Sequence, residues 1–276
     1  MKTIGFIGGG KMAEAIFAGL IRTNTCRPEQ IAVSCRVDEK CRVLEQNYPG
    51  IRTYNTAEES GVAEIVKDSD VVVIAVHPDQ GRAILTQANK YLDPERHLVV
   101  SIMGGITTEF MEQFVDKTPL VRVMPNTPLS VGEGVTGVCG GKNASPAQVD
   151  EVVALFAPLG LAVVLPEKNI EALTGVSGCG PAFCAQFLCG LADAGVALGL
   201  TRDIAIRIAA QTLAGTGKMV LEGNVHPEIL KDGVCSPGGS TIAGCIYLEQ
   251  HAIRGIAAGA VQAAVNRVKA VAEEAK

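Results

Sequence analysis

The stretch Ile4 to Ala13, IGFIGGGKMA, constrains this chain more than any other. Ile-Gly-Phe-Ile reads as a strand. It runs into Gly8-Gly9-Gly10-Lys11-Met12-Ala13, a G-x-G-x-x-A pattern that opens a helical segment. In such a loop Gly8 permits the tight turn and Gly10 lets a pyrophosphate approach the backbone. Ala13 keeps helix and strand close, and the helix N-terminus faces the phosphates. A bare glycine turn would not need the preceding strand and the following helix, so the pattern reads as a dinucleotide loop. Gly8, Gly9, Gly10, Lys11 and Met12 are its expected cofactor contacts.

The first half continues the alternation. Strand-like runs cover Thr3 to Ile7, Gln30 to Ser34, Val71 to Val76, Leu98 to Ile102 and Leu120 to Met124, with helical patterns such as Met12 to Arg22 and Pro78 to Tyr91 between them. Several runs are continuously apolar, as parallel strands covered on both faces are. Two more strands are expected at Gly134 to Val138 and Ala162 to Val164, around a helix from Pro146 to Ala157. The expected fold is an α/β Rossmann-type doubly wound sheet over residues 1–165.

Past Pro166 the style changes. No strand pattern follows; Ala, Gly, Leu and Ile recur at helical spacing, with polar breaks at Gly199 to Arg202, Glu222 to Pro227 and Val234 to Ser240. Residues 166–276 therefore read as an all-α domain of four or five helices. The apolar run Phe183 to Leu200 and the small-residue segment Ile256 to Ala264 need more cover than about a hundred residues provide, which points to intertwined subunits.

Two features bear on the cofactor. NAD-specific loops place an acid at the end of the second strand, about 20 residues on. Here Ser34-Cys35-Arg36 stands there, with no carboxylate before Asp38. A hydroxyl and a guanidinium suit a 2′-phosphate, so NADPH is expected, with NADH as a secondary donor. Further strand ends point at the same cleft: Ala75-Val76-His77-Pro78 and Ser101-Ile102-Met103-Gly104-Gly105. His77 reads equally as a catalytic group and as a helix-entry residue. Met124-Pro125-Asn126-Thr127-Pro128 reads as a rigid turn at the cleft or as a plain loop.

Composition excludes several classes. The formal net charge is -5 with no basic cluster, aromatics are 4% and Trp is absent, so neither nucleic acid nor an anionic membrane is an expected partner. The nine cysteines show no CxxC or zinc spacing; they read as small buried hydrophobes in a reducing cytosol, with no metal expected. The strand and glycine loop that follow Met1 directly leave no room for a leader, so a cytoplasmic setting is expected. Pro181 to Leu200 is apolar enough to raise the question of a membrane span, but Asp193, its glycines and its polar flanks favour a helix covered by neighbours or subunits.

A second glycine loop lies in Leu230 to Glu249, LKDGVCSPGGSTIAGCIYLE, where Ser236-Pro237-Gly238-Gly239-Ser240-Thr241 precedes a helical pattern. It reads either as an anion site for a substrate carboxylate or as an ordinary capped helix entrance. With IGFIGGGKMAEA, MPNTP, SGCGPAF at Ser177 to Phe183 and HPEILKDGVCSPGGSTIAG at His226 to Gly244, the chain resembles pyrroline-5-carboxylate reductases over nearly its whole length. The resemblance implies hydride transfer from NAD(P)H to the C=N bond of 1-pyrroline-5-carboxylate, giving L-proline, the last step of proline biosynthesis. It also implies interlocked homodimers that assemble further, into a larger ring. Carried over, Val234, Ser236, Gly238 and Gly239 line the substrate site, Thr241 holds the ring nitrogen as the catalytic contact, and Asn55 after the third strand touches the adenosine side. The family often has Lys where His77 stands, which leaves a cationic role there open. His226, Lys231, Asp232 and Glu249 read better as structural charges near helix ends than as acids. Two alternatives remain: a β-hydroxyacid dehydrogenase, which would want a lysine downstream of Gly178 to Phe183, and a non-catalytic NADPH-binding regulator.

Overall fold

A computed structural model describes residues 2–55 and 59–274. The apolar runs of the first half become neighbouring strands: β1 (Ile4–Ile7), β2 (Ile31–Cys35), β3 (Arg52–Asn55), β4 (Val71–Ile74), β5 (Leu98–Ser101), β6 (Leu120–Pro125), β7 (Gly134–Gly140) and β8 (Gly160–Val164). Their order is β3-β2-β1-β4-β5-β6-β7-β8. The β6–β7 pairing is antiparallel, with Arg122 opposite Cys139, and the other pairings are parallel. The order reverses between β1 and β4, the point where open α/β sheets hold ligands.

Continuous apolar strands are what a sheet covered on both faces demands. Side chains alternate faces with a period of two. Ile4, Phe6, Val33, Val71 and Val73 enter one buried cluster with Phe17, Leu20 and Phe156. Ile7, Ala32, Val72 and Ile74 enter the other with Ile65, Leu85 and Met111. Each fully buried Val, Ile, Leu, Phe or Met among them contributes roughly 1.5–3 kcal/mol. β3 is different. Its residues RTYN are half-buried or exposed on the sheet edge, so it carries no apolar run.

The covering helices are α1 (Lys11–Arg22), α2 (Asp38–Asn47), α3 (Glu59–Asp68), α4 (Gly81–Asn89), α5 (Thr108–Met111), α6 (Pro146–Phe156) and α7 (Ile170–Leu173). In α1 the buried residues Ala13, Ile16, Phe17 and Leu20 recur every three to four positions and form one apolar stripe. α6 starts with a capping box, in which the Ser145 hydroxyl accepts from Gln148 N–H while the Gln148 side chain accepts from Ser145 N–H.

Five helices follow: α8 (Gly180–Ala197), α9 (Arg202–Gly223), α10 (Pro227–Gly233), α11 (Ser240–Gln250) and α12 (Ile253–Glu274). α8 and α9 approach closely through small residues, with Ala192, Ala205 and Ala209 buried between them beside Leu188 and Val196. Much of the remaining apolar surface is exposed within one chain, including Phe187, Leu191, Ile204, Ile208, Ile246 and Ile256. The stretch Glu167–Ala197 is long and apolar enough to cross a membrane by length and composition, and only 11% of that window is buried. The break between α11 and α12 carries no Gly or Pro; it is made by Ala252, which takes φ 54°.

The chain divides into two compact units, Met1–Gly178 with Val265–Lys276, and Cys179–Ala264. Secondary structure changes near Pro166, but packing carries the first unit on to Gly178. Glu167 accepts from the Thr108 amide at 2.7 Å and pairs with Arg122 at 2.9 Å. The Ser177 carbonyl accepts from Asn126 Nδ2 at 2.9 Å.

Candidate functional site

In the first unit, β1 ends at Ile7 and the chain turns at Gly8 with φ 109°. A side chain at Gly8 would meet the Ala75 carbonyl oxygen at 2.4 Å. Glycine is required there both for the conformation and for the close approach of β4's end. Ala75 N–H donates to the Ile7 carbonyl at 2.9 Å, and Gly8 N–H donates to Ser34 Oγ at 2.8 Å. The ends of β1, β2 and β4 are thus fastened together where the strand order reverses.

Gly9 lies against Val33 and Cys35, and a Cβ there would come within 3.1 Å of the Val33 side chain. Gly10 caps α1 without a side chain. A Cβ on it would meet nothing within 4 Å, so the space above it is open to a ligand. The first amide to bond within α1 is that of Glu14, to the Gly10 carbonyl. The amides before it are the donors a phosphate takes up at a helix N-terminus.

These residues border a cleft of about 660 Å³, a volume suited to a cofactor-sized ligand. Gly8, Gly9, Gly10, Ser34, Arg36, Ala75, Val76 and His77 all line it. Lys11, Met12, Asn55 and Pro78 lie outside that lining. Asn55 is the last residue of β3 rather than beyond it, and its amide donates to Asp38 Oδ1 at 2.6 Å. That bond holds the first carboxylate after β2 toward the sheet edge. Ser34 is 1% exposed, and its hydroxyl is engaged by Gly8. The structure therefore shows it bracing the glycine loop, a role that its position in the sequence did not reveal.

Lys40 also lines the cleft, four residues after Arg36. Sequence reading passed over it, although a second cation four residues on was a signal for a doubly charged anion. His77 precedes the short helical turn Pro78–Gln80, and its Nδ1 lies 2.8 Å from Asp79 Oδ1, both side chains being exposed. Burial and a hydrogen bond with Cys41 push the Cys35 thiol up to about 12, which leaves it inert at the cleft wall.

The MPNTP segment is a clamp. Buried Asn126 donates through Nδ2 to Ser177 O and accepts at Oδ1 from Val135 N–H at 2.7 Å. Nearby, buried Arg122 pairs with Glu167, whose other oxygen accepts from Thr108 Oγ1 at 2.7 Å. Burial alone would raise the Glu167 pKa. The hydrogen bonds from Thr108 and the Arg122 guanidinium outweigh it and hold the carboxyl below its ordinary range.

In the second unit, α10 ends at Gly233, and its C-cap residue Val234 is exposed. The loop Ser236-Pro237-Gly238-Gly239 closes with Gly239 N–H donating to the Ser236 carbonyl at 3.0 Å. Pro at the second position and Gly238 at φ 66° in the third give the turn a type II form. A Cβ at Gly239 would meet Ser236 Oγ at 2.3 Å, so the exposed Ser236 hydroxyl would have to turn away to admit one. Gly239 then caps α11, with no side chain taking part in the cap. Thr241 sits in the first turn, exposed, and its hydroxyl is not the helix cap. The ordinary capped entrance that the sequence left open is not what is built here.

The other charged residues of this region hold one another. Lys231 pairs with Glu228 at 2.6 Å and with Asp232 at 3.4 Å. Arg254 bridges Glu228 at 2.7 Å and Glu249 at 2.8 Å. His226 Nδ1 accepts from the Glu228 amide at the start of α10. These contacts join α10, α11 and α12 and match the structural reading of the four residues.

Residues 167–271 match the family profile described as pyrroline-5-carboxylate reductase dimerisation, and residues 3–105 match that of the coenzyme F420-dependent NADP oxidoreductases. The chain is 38% identical over 264 residues to a pyrroline-5-carboxylate reductase of Synechocystis, covering 96% of each. It superposes on the solved structure of a pyrroline-5-carboxylate reductase from Coxiella burnetii with a TM-score of 0.88 at 33% identity, covering 97% of each chain. The pyrroline carboxylate reductase of Plasmodium falciparum, solved with NADP bound, gives 0.84 at 30% identity and 98% of each.

Proposed function

The chain belongs to the pyrroline-5-carboxylate reductase family of oxidoreductases, and from that premise we propose that it reduces 1-pyrroline-5-carboxylate to L-proline with NADPH as the preferred donor. The observation that carries this reading is the Ser236–Gly239 turn, which leads into α11 with a glycine cap and an exposed Thr241 whose hydroxyl takes no part in that cap. A reductase needs no second phosphate site. The carboxylate of a small cyclic imine is the natural partner for the backbone amides that begin α11.

The residues at the cleft fit a nicotinamide dinucleotide: an open face at Gly10, free amides at the start of α1, and Gly8 locked against Ala75. When bound, that cofactor supplies a hydride to an electrophilic carbon. The protein's task is to place the imine carbon and keep water out. Ser236, Gly238 and Gly239 hold the carboxylate, and Val234 packs against the ring. Thr241 Oγ1 accepts from the ring N–H. The protonated imine carries that N–H before and after hydride arrives at carbon, so no further acid is needed, which agrees with the structural engagement of His226, Lys231, Asp232 and Glu249. Arg36 and Lys40 line the cleft as cations for the 2′-phosphate that distinguishes NADPH.

The working unit is a homodimer, assembled further into a ring, with the second unit supplying the interface; exposed Phe187, Leu191 and Ile256 support this. Nine free cysteines suit a reducing, cytoplasmic setting. Family membership disfavours both the hydroxyacid-dehydrogenase and the non-catalytic readings.

Thr241 tests the substrate assignment. Thr241→Ala should lower kcat/KM by roughly tenfold or more, the size of one hydrogen bond plus lost orientation, and Thr241→Ser should recover most of it. NADPH affinity and Tm should hold. A Thr241→Ala enzyme with unchanged kcat/KM would remove Thr241 from the mechanism.

A further inference from the structure

The sulfurs of Cys235 and Cys245 lie 4.0 Å apart. Both side chains are partly exposed and both are free thiols. Cys235 directly precedes Ser236. Cys245 lies one helical turn after Thr241, on the same face of α11. The pair therefore brackets the glycine turn. None of the other cysteines shares this setting: Cys26, Cys35, Cys41 and Cys139 are buried. Cys179, Cys184 and Cys189 are five residues apart, a spacing that fans them around α8 rather than aligning them.

We propose that Cys235 and Cys245 are a dithiol modification site whose reversible oxidation to a disulfide displaces the Ser236–Gly239 turn and switches off substrate binding. The oxidant is a low-molecular-weight disulfide. The thiolate of one cysteine attacks it, forming a mixed disulfide and releasing one small thiol. The second cysteine then attacks the protein sulfur of that mixed disulfide and releases the other. Two protein thiols and one small disulfide become one protein disulfide and two small thiols, so atoms and electrons balance.

Closing the bond shortens the sulfur separation from 4.0 Å to about 2.05 Å. Cys245 is fixed within α11, so the loop side must yield. Cys235 sits in that loop, its N–H donating to the Asp232 carbonyl at 3.1 Å. Its displacement pulls on Ser236, whose carbonyl closes the turn through Gly239. The effect on catalysis rests on the reading of this turn as the carboxylate site; the chemistry of the linkage does not.

The test uses the full-length enzyme, reduced and then exposed to oxidised glutathione. No Lys or Arg lies between Asp232 and Ile253, so trypsin leaves both cysteines in one peptide, 232–254. The expected result is that peptide lighter by two hydrogens and closed to alkylation at both positions. The amides of Ser236 to Thr241 should change their hydrogen-exchange rates, and kcat/KM for the imine should fall by about tenfold or more, restored by dithiothreitol. Cys245→Ser should keep the basal activity and lose the oxidant response. Absence of the 235–245 linkage at complete glutathione oxidation, linkage only between chains, or linkage with unchanged exchange and kcat/KM would each overturn the proposal. So would equal inactivation of Cys245→Ser. A reduced enzyme without imine turnover would instead overturn the functional reading, while the peptide mass and amide exchange would still decide the dithiol.

Discussion

Ser34→Ala separates two jobs that one hydroxyl could hold. The Ser34 side chain is 1% exposed and accepts the Gly8 amide at 2.8 Å. Gly8 is in a left-handed conformation, φ 109°, and sits where a Cβ would be 2.4 Å from the Ala75 carbonyl oxygen. Removing the hydroxyl strands a buried donor at the tightest point of the loop. An unsatisfied buried amide costs about 1–3 kcal/mol. At roughly 2–4 °C per kcal/mol for a chain of this size, Tm should fall by about 2–12 °C. With the pyrophosphate common to both cofactors placed on this loop, as proposed, NADPH and NADH should weaken together, with the ratio of their Kd values changed by less than about twofold. Thermal unfolding and fluorescence titration with each nucleotide measure both quantities. An unchanged Tm together with loss of NADPH binding alone would refute the bracing role and return Ser34 to direct phosphate contact.

Arg36→Ala should behave oppositely: NADPH should weaken by about 1.5–3 kcal/mol, roughly 10- to 150-fold, while NADH and Tm barely move; equal losses in a nucleotide titration would remove the basis for NADPH preference. Glu167 has a lowered pKa through Thr108 and Arg122, so its contribution is fully present above the ordinary carboxyl value and is lost as pH falls through the lowered folded value. Glu167→Gln should flatten the acid limb of stability against pH and cost about 3 kcal/mol at neutral pH, because Arg122 is left buried without its counter-charge; chemical denaturation across pH checks both. Among fragments, residues 1–178 should be monomeric and bind NADPH, whereas residues 1–165 should be less stable, lacking Glu167 and Ser177 for Arg122 and Asn126; light scattering that finds a dimer of 1–178 would count against an interface in the second unit.

The sheet was legible because its chemistry is local. Parallel strands covered on both faces must be apolar throughout, so Val71 to Ile74 and Leu98 to Ser101 declare themselves. β3 does not, since RTYN on a half-exposed edge carries no such run. The turn at Ala252 was equally silent: left-handed backbone without Gly or Asn leaves no mark in a sequence. The two glycine loops were readable because Gly8 and Gly238 take positive φ where other residues are strained. What those loops lean on was not readable. Ser34 beneath Gly8, Asn126 across to Ser177 and Glu167 on Arg122 are contacts between residues 26, 51 and 45 positions apart. Spacing reports on neighbours along an element and is blind to such partners. The same limit explains why a change of secondary structure at Pro166 and the change of packing unit after Gly178 do not coincide.

The most direct measurement is isotope transfer with the purified chain. NADPH deuterated at the transferable nicotinamide position is supplied with 1-pyrroline-5-carboxylate, and the product is analysed by mass spectrometry and NMR. The proposed function requires one L-proline per NADPH consumed, with the deuterium on the carbon that was doubly bonded to nitrogen. NADPH that binds the cleft but is not consumed, or deuterium that appears only when a hydroxyacid-derived ketone is offered instead, would contradict it.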